Sequence, residues 1–258
     1  MEKYACIRAI CGYLPEKVEQ NDPESRIAKK TGVFSKHNAA GASAGDLAAA
    51  AAERLFADYG IARESVDFVL LCTQHPDYQM PTTACIVQDR LGLAKSCGAL
   101  DYNLGCSGYV YGLSLAKGLL ESGLAKRVLL LASSIYLQYI NEKDDTLYPF
   151  FGDGATATLL ECTEAVQPLL DAFVFGTDGS GAEQLMIPAG GSRHPYRETP
   201  EVFTTDRYGN VRSNYELFMD GQEVMAFTLR EVPELIRQVL SKAGMEKEMV
   251  DYYVFHQA

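Results

Sequence analysis

Short apolar runs alternate along the chain with longer stretches of helical period. Val66–Cys72, Gly98–Asn103, Arg127–Ser133, Gly154–Glu161 and Val250–Phe255 are compact, β-rich and bounded by polar or glycine turns, which predicts strands. Ser43-Ala44-Gly45-Asp46 has the form of a capping box and predicts an alanine-rich helix ending near Gly60. Thr82 is placed to cap a helix that stops at Gly92, and Ser107–Ser122 predicts a longer one stopped by Gly123. Asp220–Lys242 predicts another helix, with Pro233 as a kink or break. Strand and helix taken in turn imply an α/β protein with a largely buried sheet.

The helix from Ser107 carries Val110, Tyr111, Leu113, Leu115, Leu119 and Leu120 on nearly every side. Such a helix is expected in the interior, which would place Cys106, just before it, deep in the molecule at the end of an element. Gly108, Gly112 and Ala116 recur every fourth residue and leave one flank open to close backbone approach. From about residue 176 to 218 the chain is rich in Gly, Pro, Arg and Asp and without clear period, as expected of a lid, a binding loop or a disordered segment. There is also a weak internal repeat. Gly60 and Gly244 each end a helix, a charged turn follows, and Val66-Asp67 or Val250-Asp251 opens an aromatic or aliphatic strand.

Length and charge narrow the class. A chain of 258 residues holds one large domain or two packed halves. A net charge of -11 argues against nucleic acid or an anionic membrane as partner. No apolar run approaches the roughly 20 residues of a membrane span, and the first residues lack the apolar stretch of a signal peptide, so a cytoplasmic protein is expected. The seven cysteines are odd in number, scattered and free of Cys-x-x-Cys pairs, which suggests neither a zinc site nor a disulfide framework. Six of them read as small core residues.

The seventh, Cys106, stands in Leu104-Gly105-Cys106-Ser107-Gly108, a glycine-flanked turn between a strand and a helix. Such a turn presents a side chain at its apex, and a helix amino end favours a thiolate or an oxyanion. Cys106 is therefore either a nucleophile or a small residue that fits the turn. His256 follows a predicted strand, where it is either a solvated loop histidine or a donor to a developing enolate. His37, His75 and His194 stand in polar segments and read as surface residues. Phe151-Gly152-Asp153-Gly154-Ala155 lacks the spacing of a dinucleotide fingerprint and reads as a tight turn with positive φ.

Taken together, several of these segments resemble the β-ketoacyl-acyl-carrier-protein synthase III family of the thiolase-like superfamily. Gly105-Cys106-Ser107-Gly108 resembles its nucleophile region, and Phe151–Ala155 and Asp178-Gly179-Ser180 its glycine-rich turns. Thr31-Gly32-Val33 resembles its amino-terminal Thr-Gly-Ile turn, and Phe255-His256-Gln257-Ala258 the start of its His-Gln-Ala-Asn motif. The resemblance implies a duplicated αβαβα fold. Residues 1–161 would form an amino-terminal half carrying Cys106, and residues 162–258 a truncated second half ending at His256-Gln257-Ala258. It implies a cytoplasmic acyltransferase of fatty acid biosynthesis, with acyl carrier protein and a small acyl thioester as partners, a homodimer, and neither metal nor cofactor. Cys106 would accept the acyl group, and His256 would stabilise the enolate formed when malonyl carrier protein loses carbon dioxide. Met80 aligns with a bulky residue that closes the acyl tunnel across the dimer, and Lys30 with a phosphate-contacting Arg. An acyltransferase of the same fold passing the acyl group to a hydroxyl or amine is the alternative.

Departures from the family pattern carry expectations too. The motif asparagine, a later catalytic asparagine and a late glycine-rich loop would all fall beyond residue 258, so the chain reads as a fragment. Alone it is expected to acylate but to condense little. There is no Trp to stack on an adenine, and Asp145 aligns with a family Arg. Both changes favour a carrier protein or an atypical thioester over acetyl-coenzyme A as donor.

Overall fold

The computed structural model describes residues 2–256. In chain order the elements are β1 (Glu2–Tyr13), β2 (Lys17–Gln20), α1 (Arg26–Thr31), β3 (Ser35–Asn38), α2 (Ala44–Tyr59), β4 (Phe68–Cys72), α3 (Thr83–Arg90), β5 (Gly98–Tyr102), α4 (Gly108–Glu121), β6 (Arg127–Ser134) and β7 (Gly154–Ala165). They continue with β8 (Leu185–Met186), β9 (Phe203–Thr205), β10 (Val211–Ser213), β11 (Phe218–Met219) and α5 (Gly221–Ala243). Two compact units result. The first takes the residues up to Asn21, Phe34–Tyr136 and Gly152–Leu170; the second takes Asp22–Val33, Leu137–Phe151 and the chain from Asp171.

In the first unit a mixed sheet runs β1-β7-β6-β4-β5, with β4 parallel to both β5 and β6. Strand alternation sends neighbouring side chains to opposite faces. Val69, Leu71, Leu129, Leu131 and Leu159 pack with Leu47, Ala48, Ala51 and Leu55 of α2. Leu70, Val128, Leu130 and Leu160 pack instead with Ala116 and Leu120 of α4. Both faces are thus covered, as the predicted apolar runs require.

β1 was not legible from period alone. Its pairing with β7 slips between Ile7 and Ala9, so Ala5 lies in the α4-side cluster and Ala9 in the α2-side one. A bulge of this kind erases the alternation a strand prediction depends on.

The capping box of α2 forms as expected, Ser43 accepting from the Asp46 N–H while Asp46 accepts from the Ser43 N–H. Thr82, by contrast, makes no capping bond. The carboxylate of Asp101 on β5 accepts from the Thr83 and Ala84 N–H groups at 2.6 and 2.5 Å and caps α3 from a neighbouring strand. Nor is α4 an interior helix. Its buried line is Gly108, Gly112, Ala116 and Leu120, while Val110 and Leu115 are 48% and 42% exposed. The small residues set the contact, because a Cβ on Gly112 would meet the Leu130 Cδ1 at 2.5 Å.

In the second unit α1 carries Lys29 and Lys30 in its last turn, and α5 is capped by Asp220, whose side chain accepts from the Gln222 and Glu223 N–H groups. The helix continues through Pro233 without a break. Between residues 176 and 218 the chain is not wholly irregular, since β9 pairs with β10 and β8 with β11. Asp144, fully buried, is ion-paired with Arg212 and accepts from the Thr146 and Leu147 N–H groups.

The internal repeat is visible locally. Gly60 and Gly244 end their helices at φ 61° and 65°, and each is followed by a three-residue 3-10 turn, Arg63–Ser65 or Lys247–Met249. The copies then part, since β4 is a strand and Val250–Phe255 is not. An extended segment becomes a strand only when a neighbour takes its N–H and C=O groups, and among the described residues none pairs with this one. No helix among the described residues is long and apolar enough to cross a membrane.

Candidate active site

The parallel strands β4, β5 and β6 all end at one edge of the first unit's sheet, the edge where open α/β sheets hold their ligands. Beyond β5 the chain turns sharply. The Gly108 N–H donates to the Gly105 carbonyl at 2.8 Å, which closes a β-turn with Cys106 and Ser107 at its centre. Cys106 is therefore at the apex of a turn that opens α4, and it is exposed rather than deep as the apolar helix suggested. The side chain of Ser107 makes no capping bond.

Two glycines let this turn sit against the sheet. A Cβ on Gly108 would come 2.2 Å from the Cys72 Sγ, and one on Gly105 would come 2.7 Å from the Gln74 Oε1. The Cys72 thiol donates to the Leu104 carbonyl at 3.2 Å, and the Tyr102 hydroxyl donates to the Gly108 carbonyl at 2.9 Å. Burial pushes both Cys72 and Tyr102 up, so each stays protonated and holds its bond to the turn.

The residues after β4 and β6 complete the surroundings. The Tyr136 hydroxyl donates to the Gln74 Oε1, and the Tyr136 ring meets His75 edge-on at 4.6 Å. Tyr136 is pushed up to about 12, chiefly by burial. His75 is 3% exposed, not a surface residue, and burial lowers it to about 4. The His75 backbone N–H donates to the Thr73 Oγ1 at 3.0 Å, and the ring Nδ1 accepts from the Ile135 N–H at 3.4 Å.

Met80 lies in the same unit, on the segment between β4 and α3, and is 83% exposed. Lys30 and His256 belong to the second unit, and both are exposed. Gln257 and Ala258, which complete the predicted histidine motif, lie outside the described residues.

The remaining candidates resolve as structural. His37 is half-buried with its Nδ1 2.6 Å from the Pro15 carbonyl oxygen, whereas His194 is exposed as expected. Neither Gly152 nor Gly154 adopts positive φ. The turn they flank is fixed by Asp153, which is buried and accepts from the Ala39 N–H at 2.8 Å. Of the six cysteines expected in the core, Cys72 and Cys97 are buried, Cys6, Cys11 and Cys162 are half-buried, and Cys85 is exposed. Gln74 and Tyr136 were not singled out by sequence. The only signal was their position just past predicted strands.

Comparison with known proteins gives a consistent result. A family model described as 3-oxoacyl-[acyl-carrier-protein (ACP)] synthase III matches residues 100–179. A β-ketoacyl-[acyl-carrier-protein] synthase III of Lactococcus lactis subsp. lactis is 35% identical over 99% of this chain and 77% of its own. A crystal structure of a 3-oxoacyl-(acyl-carrier-protein) synthase III superposes with a TM-score of 0.93 at 46% identity, covering 96% of this chain and 77% of that one. A 3-oxoacyl-(acyl-carrier protein) synthase from Burkholderia xenovorans gives a TM-score of 0.83 at 36% identity over 96% and 72% of the two chains.

Proposed function

The chain belongs to the β-ketoacyl-acyl-carrier-protein synthase III family, and from that premise we propose that Cys106 carries the acyl group in a decarboxylative condensation. The observation that supports this most is the β-turn that lifts Cys106 out at the amino end of α4, beside the carboxyl ends of three parallel strands.

The thiolate of Cys106 attacks the carbonyl carbon of an acyl thioester. The tetrahedral oxyanion gains from the N–H groups at the start of α4. The old C–S bond then breaks, and the departing thiolate takes up the proton that Cys106 gave. In the second half-reaction the C–CO2 bond of malonyl carrier protein breaks. Its electron pair forms an enolate, and the imidazole of His256 donates a hydrogen bond to the enolate oxygen. The enolate carbon attacks the acyl-Cys106 carbonyl, the bond to sulfur breaks, and the free thiolate and a 3-oxoacyl product result.

The same reading includes acyl carrier protein as partner, a cytoplasmic homodimer in which Met80 reaches the acyl site, and Lys30 as a contact for the donor's phosphate. It also includes an amino-terminal half to residue 161 and a second half from 162. No metal or cofactor takes part. Carbon dioxide release from malonyl carrier protein tests it. Release that depends on His256, with a 3-oxoacyl product that depends on Cys106, is expected, whereas acyl transfer to a hydroxyl or amine without release would refute it.

A further inference from the structure

Gln74 has an unusual position for an exposed polar side chain. It lies over the nucleophile turn, its Oε1 2.7 Å and its Nε2 3.7 Å from where a Cβ on Gly105 would stand. A Cβ at 105 would displace the amide from this place. The oxygen end is occupied, because Oε1 accepts from the Tyr136 hydroxyl. Tyr136 is itself held, its ring edge-on to the buried His75. The amide is thus oriented from behind, and among the described residues its Nε2 donates to no acceptor. Two N–H donors remain beside Gly105, the residue that precedes the one that would carry the acyl group.

The electrostatics of the cluster narrow what those donors suit. Gln74 is neutral, Tyr136 stays a neutral phenol, and His75 is uncharged at neutral pH. These side chains bring no positive charge to the turn, so a carboxylate on the acyl chain gains no counter-ion from them. A plain alkyl chain leaves the donors unmatched. A hydroxyl oxygen accepts from them at no charge cost.

We propose that Gln74, oriented by Tyr136, is a specificity-determining residue that favours hydroxyacyl groups on Cys106 over alkyl and carboxyacyl groups of similar length. This rests on Cys106 being the acyl carrier.

The test follows loading of the full chain by butyryl-, 3-hydroxybutyryl- and succinyl-pantetheine, read as the rate of mass gain at Cys106, with Cys106→Ala as the labelling control. A neutral hydrogen bond still open to water is worth about three- to tenfold. The wild-type protein should load hydroxybutyryl faster than butyryl by that factor, and succinyl more slowly than hydroxybutyryl. Gln74→Leu should bring the hydroxybutyryl-to-butyryl ratio to about one. Gln74→Glu should do the same, since it keeps the acceptor for Tyr136 but loses the donors. Tyr136→Phe, which releases the amide, should lower the ratio part way. A ratio within one protein is insensitive to a general loss of activity. A wild-type ratio of one or less, or a ratio unchanged in Gln74→Leu, overturns the inference and leaves the acyl-cysteine reading standing. Failure of all three donors to load Cys106 overturns both.

Discussion

Gly108→Ala is the smallest change that should disable the nucleophile without touching it. The added Cβ would stand 2.2 Å from the Cys72 Sγ and 3.4 Å from the Leu104 Cβ. Carbon and sulfur approach no closer than about 3.5 Å at rest, so the start of α4 or the end of β4 must give way by about 1 Å. Overpacking of this kind costs about 1–3 kcal/mol, offset by about 1 kcal/mol from replacing a helical glycine with alanine. In a chain of this length each kcal/mol lowers the melting temperature by about 2–4 °C. The functional effect should be larger. Cys106 stands two residues before the displaced backbone, and a 1 Å misplacement costs on the order of 10²-fold in rate. Cys106 loading, followed by intact mass, should therefore fall about a hundredfold while the protein remains folded.

Cys72→Ala removes the opposing sulfur and leaves its Cβ 3.7 Å from the new methyl, an ordinary contact. The double variant should then load within a few-fold of Cys72→Ala alone, a coupling that independent sites would not show. Wild-type loading by Gly108→Ala would refute the close approach. A double variant as slow as the single one would refute Cys72 as the obstacle.

Three further outcomes follow from the same structure. His75 is held near 4 in the folded state against 6.5 when free, so the unfolded chain binds the extra proton first as pH falls. Stability should drop between pH 6.5 and 4 by up to about 3 kcal/mol in urea titrations, and His75→Gln should remove that part of the slope. Asp101→Ala should cost about 1–2 kcal/mol by uncapping α3, while Asp101→Asn, which keeps an acceptor, should cost less in the same titration. Arg212→Met leaves the fully buried Asp144 without its counter-ion and should destabilise the second unit by about 3–5 kcal/mol, visible as faster hydrogen exchange at residues 144–147.

What the sequence revealed depended on how local the cause was. The Ser43–Asp46 box lies within one turn of chain and could be read directly, as could the apolar run of Val66–Cys72 that becomes a strand buried on both faces. The cap of α3 could not, because Asp101 reaches it from a different strand. The burial of α4 was misread from its large residues, when Gly108, Gly112 and Ala116 decide which side meets the sheet. The same holds at the site. The Cys106 turn is a contiguous motif, but Gln74, His75 and Tyr136 arrive from the ends of β4 and β6, and only the parallel register brings them together. His75 looked like a loop residue because its neighbours are polar, while its burial comes from the fold.

The most direct test of the central claim is the intact mass of the protein after exposure to acyl thioesters, with peptide mapping and Cys106→Ala beside it. One acyl group per chain, on Cys106 and lost in the variant, is the predicted result. Acylation at another residue, or equal labelling of Cys106→Ala, would contradict it.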